Sequence, residues 1–288
     1  MTQFDGRSTS QLVRRQFLKC TAGAFALATL PLGMAKAKST ASAPIGLQLY
    51  TLRDMMAISV PATLELVSAV GYTDMEFAGY FSYSAKQIKQ LLNETGLKAP
   101  SAHIPLTEFE KGLDSIIEDA KIVGHKYVVL PYLTEAQRGT KIDTYYQLAE
   151  KLNRWGEALK KEGIQLAYHN HDFEFETRDG EVPYDVLLNE TDADNVKMEL
   201  DLYWTVKANQ DPLALFNAHP GRFPLWHVKD MDTQGEFADV GTGTIDFKPI
   251  FAHASKAGLV FPFVERDQTD DRLRTIRQGF DGLKALQQ

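Results

Sequence analysis

The chain has 288 residues, of which 44% are hydrophobic and 24% charged, the balance of an ordinary globular protein, which excludes a disordered or fibrous one. The formal net charge is −7, and so acidic a surface repels phosphate polymers and speaks against a nucleic-acid partner. The single cysteine, Cys20, lies in the first segment, so the rest of the chain has neither a disulfide nor thiol chemistry.

Residues 1–37 read as an address rather than a fold. Paired Arg14 and Arg15 precede Phe17-Leu18-Lys19, a modestly apolar run to Met34, and the small-residue site Ala35-Lys36-Ala37. The pattern resembles a twin-arginine export signal. It implies passage through the twin-arginine machinery, a periplasmic location and, after cleavage, no membrane attachment, because the run is shorter than the roughly 20 residues a span needs. Removal of this leader, which carries Arg7, Arg14, Arg15, Lys19 and Lys36 against Asp5, would make the chain still more acidic. A short linker, residues 38–43, follows.

From residue 44 to 288 apolar strand-like runs alternate with amphipathic helix-like ones. Strands are expected over Ile45–Tyr50, Tyr72–Phe77, Lys98–Ile104, Lys126–Leu133, Ile164–His171, Val196–Tyr203, Pro224–Lys229 and Val260–Glu265. Helices are expected near Pro61–Val70, Ala85–Thr95, Leu113–Val123, Thr144–Glu162, Tyr184–Asn189, Pro212–Ala218, Phe247–Ala257 and Arg272–Leu286. Eight β/α units over this length predict a single-domain α/β fold, a closed (β/α)8 TIM barrel with a parallel sheet. An open doubly wound sheet would want a glycine-rich phosphate loop after the first strand, and Gln48-Leu49-Tyr50-Thr51 stands there instead.

In such a barrel the chemistry sits at the C-terminal strand ends. Those ends carry Glu76, His103, His169 and His171 with Glu174 just beyond, Glu199 and Asp201, His227 and Lys229-Asp230, and Glu265-Arg266-Asp267. Carboxylates gathered at one mouth repel one another unless a cation sits among them. Histidine and carboxylate donors without cysteine suit Mn, Co, Zn or Fe(II).

The strand-six Glu-Leu-Asp-Leu-Tyr-Trp, the strand-seven His-Val-Lys-Asp, the loop Val240-Gly241-Thr242-Gly243-Thr244-Ile245 and the strand-eight Val-Glu-Arg together resemble the xylose isomerase-like TIM-barrel superfamily. More narrowly they are similar to its sugar phosphate isomerases/epimerases, many of them exported by a twin-arginine signal. The resemblance implies a metal held by Asp201, His227 and Glu265. At strand five, where the family places a Glu, this chain offers only His169, favoured by position, or His171. It further implies a sugar isomerase or epimerase that abstracts a proton next to a carbonyl through a metal-stabilised enediolate, or a lyase or dehydratase on a keto-sugar or keto-glycoside by the same chemistry. The candidate acids and bases are Glu174, Glu76, His171 and Lys229, and the candidate sugar contacts are His103, Tyr50, Trp204 and Arg266. Oligomerisation is left open. A DNA-repair endonuclease of the same superfamily is disfavoured by the acid excess, and a non-catalytic sugar-binding protein by the converging ligands.

Overall fold

The computed structural model describes residues 44–288; the export leader expected over 1–37 and the linker over 38–43 lie outside the described residues. Its strands are β1 (Gly46–Gln48), β2 (Asp74–Phe77), β3 (Lys98–His103), β4 (Tyr127–Leu130), β5 (Gln165–His169), β6 (Val196–Asp201), β7 (Leu225–Val228), β8 (Asp230–Met231), β9 (Phe237–Ala238) and β10 (Phe261–Val264). The first seven and β10 close into an eight-stranded barrel, and β8 and β9 form a separate small hairpin. Each barrel pair is parallel, and Gly46 opposite Phe263 closes the ring between β1 and β10.

All eight expected strands are present, but several stop earlier than the apolar runs do. Pro131 has no N–H to continue β4. After β6 the Asp201 side chain accepts the backbone N–H of Trp204 at 2.9 Å and starts the helix Leu202–Lys207, so Tyr203 is helical. His171 falls in the loop beyond β5. The expected helices are present too, that over 247–257 broken into Phe247–Ala252 and Ala254–Ala257. Short helices not foreseen, among them Arg53–Ile58, Leu106–Lys111 and Glu135–Arg138, follow β1, β3 and β4 on the side where the strands end.

The helices cover the barrel with apolar faces. Asp143–Lys161 buries Tyr145, Leu148, Ala149, Leu152, Gly156 and Leu159, one stripe at helical spacing, and each leucine so buried contributes about 1.5–3 kcal/mol. Inside the barrel, Val129, Ala167, Leu225 and Phe263 are fully buried and form an apolar floor, with Tyr127 and Phe261 packed against it. The floor depends on a glycine. A Cβ on Gly46 would stand 2.5 Å from both the Phe263 ring and the Pro262 carbonyl oxygen. Gly46→Ala is expected to destabilise the barrel by about 1–3 kcal/mol in urea unfolding; an unchanged midpoint would mean that β1 moves away freely.

Asp230 organises the rim. Its carboxylate accepts the backbone N–H groups of Met231, Gly241, Gly243 and Ile245 at 2.8, 2.9, 2.9 and 3.2 Å. The loop therefore wraps one side chain, and a Cβ on Gly243 would lie 2.3 Å from Asp230 Oδ1. Asp230 thus turns away from its neighbour Lys229, and the two form no ion pair.

Candidate active site

Above the floor, the alternation of each strand turns polar residues inward. His169 ends β5, Asp201 ends β6, His227 lies on β7 and Glu265 follows β10. These four buried side chains each offer a ligand atom within 4.8 Å of the others, near the separation two ligands have across an ion at bond lengths of ~2.0–2.3 Å. The converging atoms are Nδ1 of His169, Oδ2 of Asp201, Nδ1 of His227 and Oε2 of Glu265, all buried, with His227 Nδ1 2.8 Å from Glu265 Oε2 and 3.6 Å from Asp201 Oδ2. The other Asp201 oxygen is already committed to the Trp204 N–H. His171 is not among the four.

The Asn170 side chain between the two histidines fixes their strand against β6. Its Oδ1 accepts the Asp201 backbone N–H at 3.0 Å, and its Nδ2 donates to Thr205 Oγ1 at 3.3 Å.

A second buried layer lies around the other ring nitrogen of His227. Nε2 stands 2.7 Å from Glu76 Oε1 and 3.3 Å from Glu199 Oε2, both carboxylates, so it carries the proton and donates. Nδ1 faces Glu265 Oε2 at 2.8 Å, and although burial opposes the charge, the surrounding carboxylates hold the imidazolium well above its ordinary value. A cation between Nδ1 and Glu265 would replace that proton, the arrangement in which an outer carboxylate orients a ligating histidine. Glu76 also accepts from Gln48 Nε2 and Ser101 Oγ, each at 2.6 Å, and His103 Nε2 donates to Glu199 at 2.8 Å. Burial alone would raise the Glu76 carboxyl, yet His103 and His227 hold it well below the usual range. Burial and the charge of Glu76 push Glu199 up to about 8. Burial works against a charge on His103, which the two carboxylates nonetheless hold at about 9.

Lys229 is 1% exposed. Its Nζ stands 2.9 Å from Asp201 Oδ2, 2.7 Å from Glu265 Oε2 and 2.9 Å from Asp267 Oδ1. Burial opposes its charge, but these carboxylates hold the ammonium well above its ordinary value.

These groups border a cavity of about 650 Å³ lined by His103, His169, His171, Lys229, Glu265, Asp267, Arg138, Phe173 and Trp204 and by the exposed rings of Tyr50 and Tyr132. A larger groove, about 780 Å³, lies between the segment 240–248 and the C-terminal helix and shares no residue with this cavity. His171 carries a buried Nδ1 without a partner, and burial together with Lys229 pushes its imidazole down to about 3.

Of the eight residues expected as acids, bases or sugar contacts, His171, Lys229, His103, Tyr50 and Trp204 line the cavity. Three others do not. Glu174 is fully buried, with one oxygen accepting the Tyr168 hydroxyl at 2.6 Å and the other the His171 N–H at 2.8 Å, so it braces the loop and is no base toward a ligand. Glu76 lies one layer beneath, where four neighbouring donors engage it. Arg266 is no sugar contact: its Nη1 pairs with Asp239 at 2.5 Å and its Nε donates to the Gln268 carbonyl.

Tyr132, Arg138 and Phe173 were not anticipated. One signal existed: Thr134 and Gln137 form a capping box, which starts a helix right after β4 and carries Arg138 to the mouth.

A parallel eight-stranded barrel whose strand ends gather two carboxylates and two imidazoles into one buried cluster defines a TIM-barrel protein with the donor set of a divalent metal site. Residues 64–286 match the family described as xylose isomerase-like TIM barrel, and the chain belongs to that family. An inosose dehydratase from Lacticaseibacillus casei is 26% identical over 286 residues, covering 85% of this chain and 94% of the relative. The crystal structure of a sugar phosphate isomerase/epimerase from Parabacteroides distasonis superposes with a TM-score of 0.75 at 28% identity, covering 89% of this chain and 98% of that one. The IOLI protein, whose crystal structure holds a zinc atom, shares the fold at a TM-score of 0.67 and 17% identity, over 84% of this chain and 97% of its own.

Proposed function

We propose that this protein is a metal-dependent lyase that acts on a keto-sugar or related cyclic keto-polyol, removing the proton next to the carbonyl and expelling the substituent on the following carbon. The observation that carries this reading is the convergence of four buried ligand atoms within 4.8 Å of one another, two of whose residues, His169 and Glu265, line a cavity able to hold a sugar. The relatives named inosose dehydratase support the lyase outcome. The structural relative named sugar phosphate isomerase/epimerase supports a second reading, isomerisation or epimerisation, in which the same proton returns to another carbon or face.

His169, Asp201, His227 and Glu265 would hold Mn, Co, Zn or Fe(II). Such an ion supplies Lewis-acid stabilisation of the negative charge that develops on a carbonyl oxygen. The chain does the rest. His171, whose ring lines the cavity and is held neutral by burial and Lys229, is the base in this reading, and the Lys229 ammonium protonates the departing oxygen. His103 donates to a ring hydroxyl, while Tyr50 and Trp204 flank the ring.

Phosphate fits this cavity poorly. Lys229 is shared among three carboxylates, and Arg138 is committed to the Tyr132 hydroxyl and the Leu133 carbonyl. An uncharged sugar needs no free cation, which agrees with export to the periplasm through the leader, where we place the protein.

Proton NMR in D2O with metal-loaded protein and a panel of inososes and ketoses tests the proposal. Deuterium uptake with appearance of an unsaturated ketone identifies the lyase, and uptake with a rearranged or inverted sugar identifies the second reading. If no substrate in the panel exchanges a proton, both readings are wrong.

A further inference from the structure

Lys229 and the proposed ion would use the same two oxygens. The Lys229 Nζ stands 2.9 Å from Asp201 Oδ2 and 2.7 Å from Glu265 Oε2, and both carboxylates belong to the ligand cluster. An oxygen whose lone pairs face an ammonium is a weaker donor to a metal, and two cations sharing it repel each other. The third partner is different. Asp267 Oδ1 lies 2.9 Å from the same Nζ, yet Asp267 is outside the ligand cluster, and its side chain is 21% exposed where that of Lys229 is 1% exposed.

Charge shows what this third partner can do. Asp201, Glu265 and Asp267 bring three negative charges to one ammonium. One divalent ion together with that ammonium balances all three, once His169 and His227 ligate as neutral imidazoles. The cluster thus has charge for both cations, provided that they sit on different oxygens, the ion on Asp201 and Glu265 and the ammonium on Asp267. Two aromatic faces also favour the ammonium without using a ligand oxygen, since Nζ lies 5.6 Å from the centre of the Trp204 ring and 5.7 Å from that of Phe237, within reach of a cation–π attraction. Lys229, Asp267, His169 and Glu265 line the cavity while Asp201 and His227 do not, so an ion coming from the cavity arrives on the side of the ammonium.

We infer that Lys229 is a built-in competitor of the metal ion, and that Asp267 is the positioning residue that draws its ammonium off the ligand oxygens, so that the pair sets the affinity of the site. This rests on the metal reading of the cluster and holds whether the reaction is an elimination or an isomerisation. Competition and ordering make opposite predictions. If the ammonium competes, removing its charge strengthens metal binding; if it only holds the carboxylates in place, removing it weakens binding.

Calorimetric titration of the chelator-stripped full chain with Zn(II) and with Mn(II) tests the inference in wild type, Lys229→Met, Asp267→Asn and the double variant. Methionine keeps an unbranched, flexible side chain without the charge. Lys229→Met is expected to bind either ion about tenfold more tightly, within the ~5–150-fold typical of coupling between two bound species. Its metal-free form should nonetheless unfold at lower urea, because three carboxylates then face one another without their ammonium. Asp267→Asn, at a partly exposed position, should bind the ions about tenfold more weakly, since the ammonium then rests on the ligand oxygens alone. In the Lys229→Met background the same change should cost about threefold or less, because contacts that act through one another are not additive. Chelator competition from metal-loaded protein reads the same affinities if metal-free Lys229→Met does not fold.

Unchanged or weaker binding by Lys229→Met overturns the competition while leaving the metal site standing. An Asp267→Asn loss of equal size with and without Lys229 overturns the positioning role, since Asp267 would then act on the ion directly. Absence of metal binding by the wild type overturns the metal site and the inference with it.

Discussion

Asp201→Asn is expected to lose the metal while the barrel stays folded. Asparagine retains a side-chain oxygen for the Trp204 N–H, so the helix Leu202–Lys207 keeps its cap. What disappears is the anionic Oδ2, one of the four converging ligand atoms and the ion-pair partner of Lys229 at 2.9 Å. Metal analysis should find the ion in wild type and little in the variant. Loss of its stabilisation, several kcal/mol, should lower the rate of substrate deuterium exchange by about a thousandfold. Full metal content and undiminished exchange in Asp201→Asn would remove the proposed site.

Glu76→Ala should cost the most stability of any single change at the site. It strips a carboxylate from Gln48, Ser101 and His227 at once, at 2.6, 2.6 and 2.7 Å, all in the interior of the barrel. Removing one side of a buried charged network typically costs about 3–5 kcal/mol, because the partners stay buried and unpaired. The same deletion frees the His227 ring to rotate or change tautomer, so metal affinity should fall by about 10–100-fold. Urea unfolding and metal titration read the two effects separately. A variant with the wild-type midpoint and affinity would show that the layer beneath His227 does not hold it.

The barrel was legible because its signal is periodic. Eight apolar runs, eight amphipathic runs and glycines at the helix ends such as Gly96 and Gly258, with φ of +72° and +84°, mark the units one by one. The inward-facing His169, Asp201, His227 and Glu265 follow from the same period of two together with the family resemblance. Depth and loop direction were not legible. Glu76 ends its apolar run just as His169 does, yet the stagger of the strands places it one layer lower, and stagger is a property of the closed sheet rather than of one strand. Glu174 lies a few residues past β5, where the turn Phe173–Phe175 folds it under the loop against Tyr168. Arg266 directly follows Glu265, but its partner Asp239 is 27 residues away and no local pattern announces it. Tyr132 and Arg138 belong to the segment after β4, which meets Tyr50 at the cavity only when the barrel closes.

The apolar floor of Val129, Ala167, Leu225 and Phe263 gives the barrel a blind end. Whatever reaches the four strand ends enters and leaves by one door, past Tyr50 and Tyr132. Anything bound at the strand ends therefore exchanges with solvent through that mouth, and a molecule lodged between the two tyrosines blocks entry and exit together.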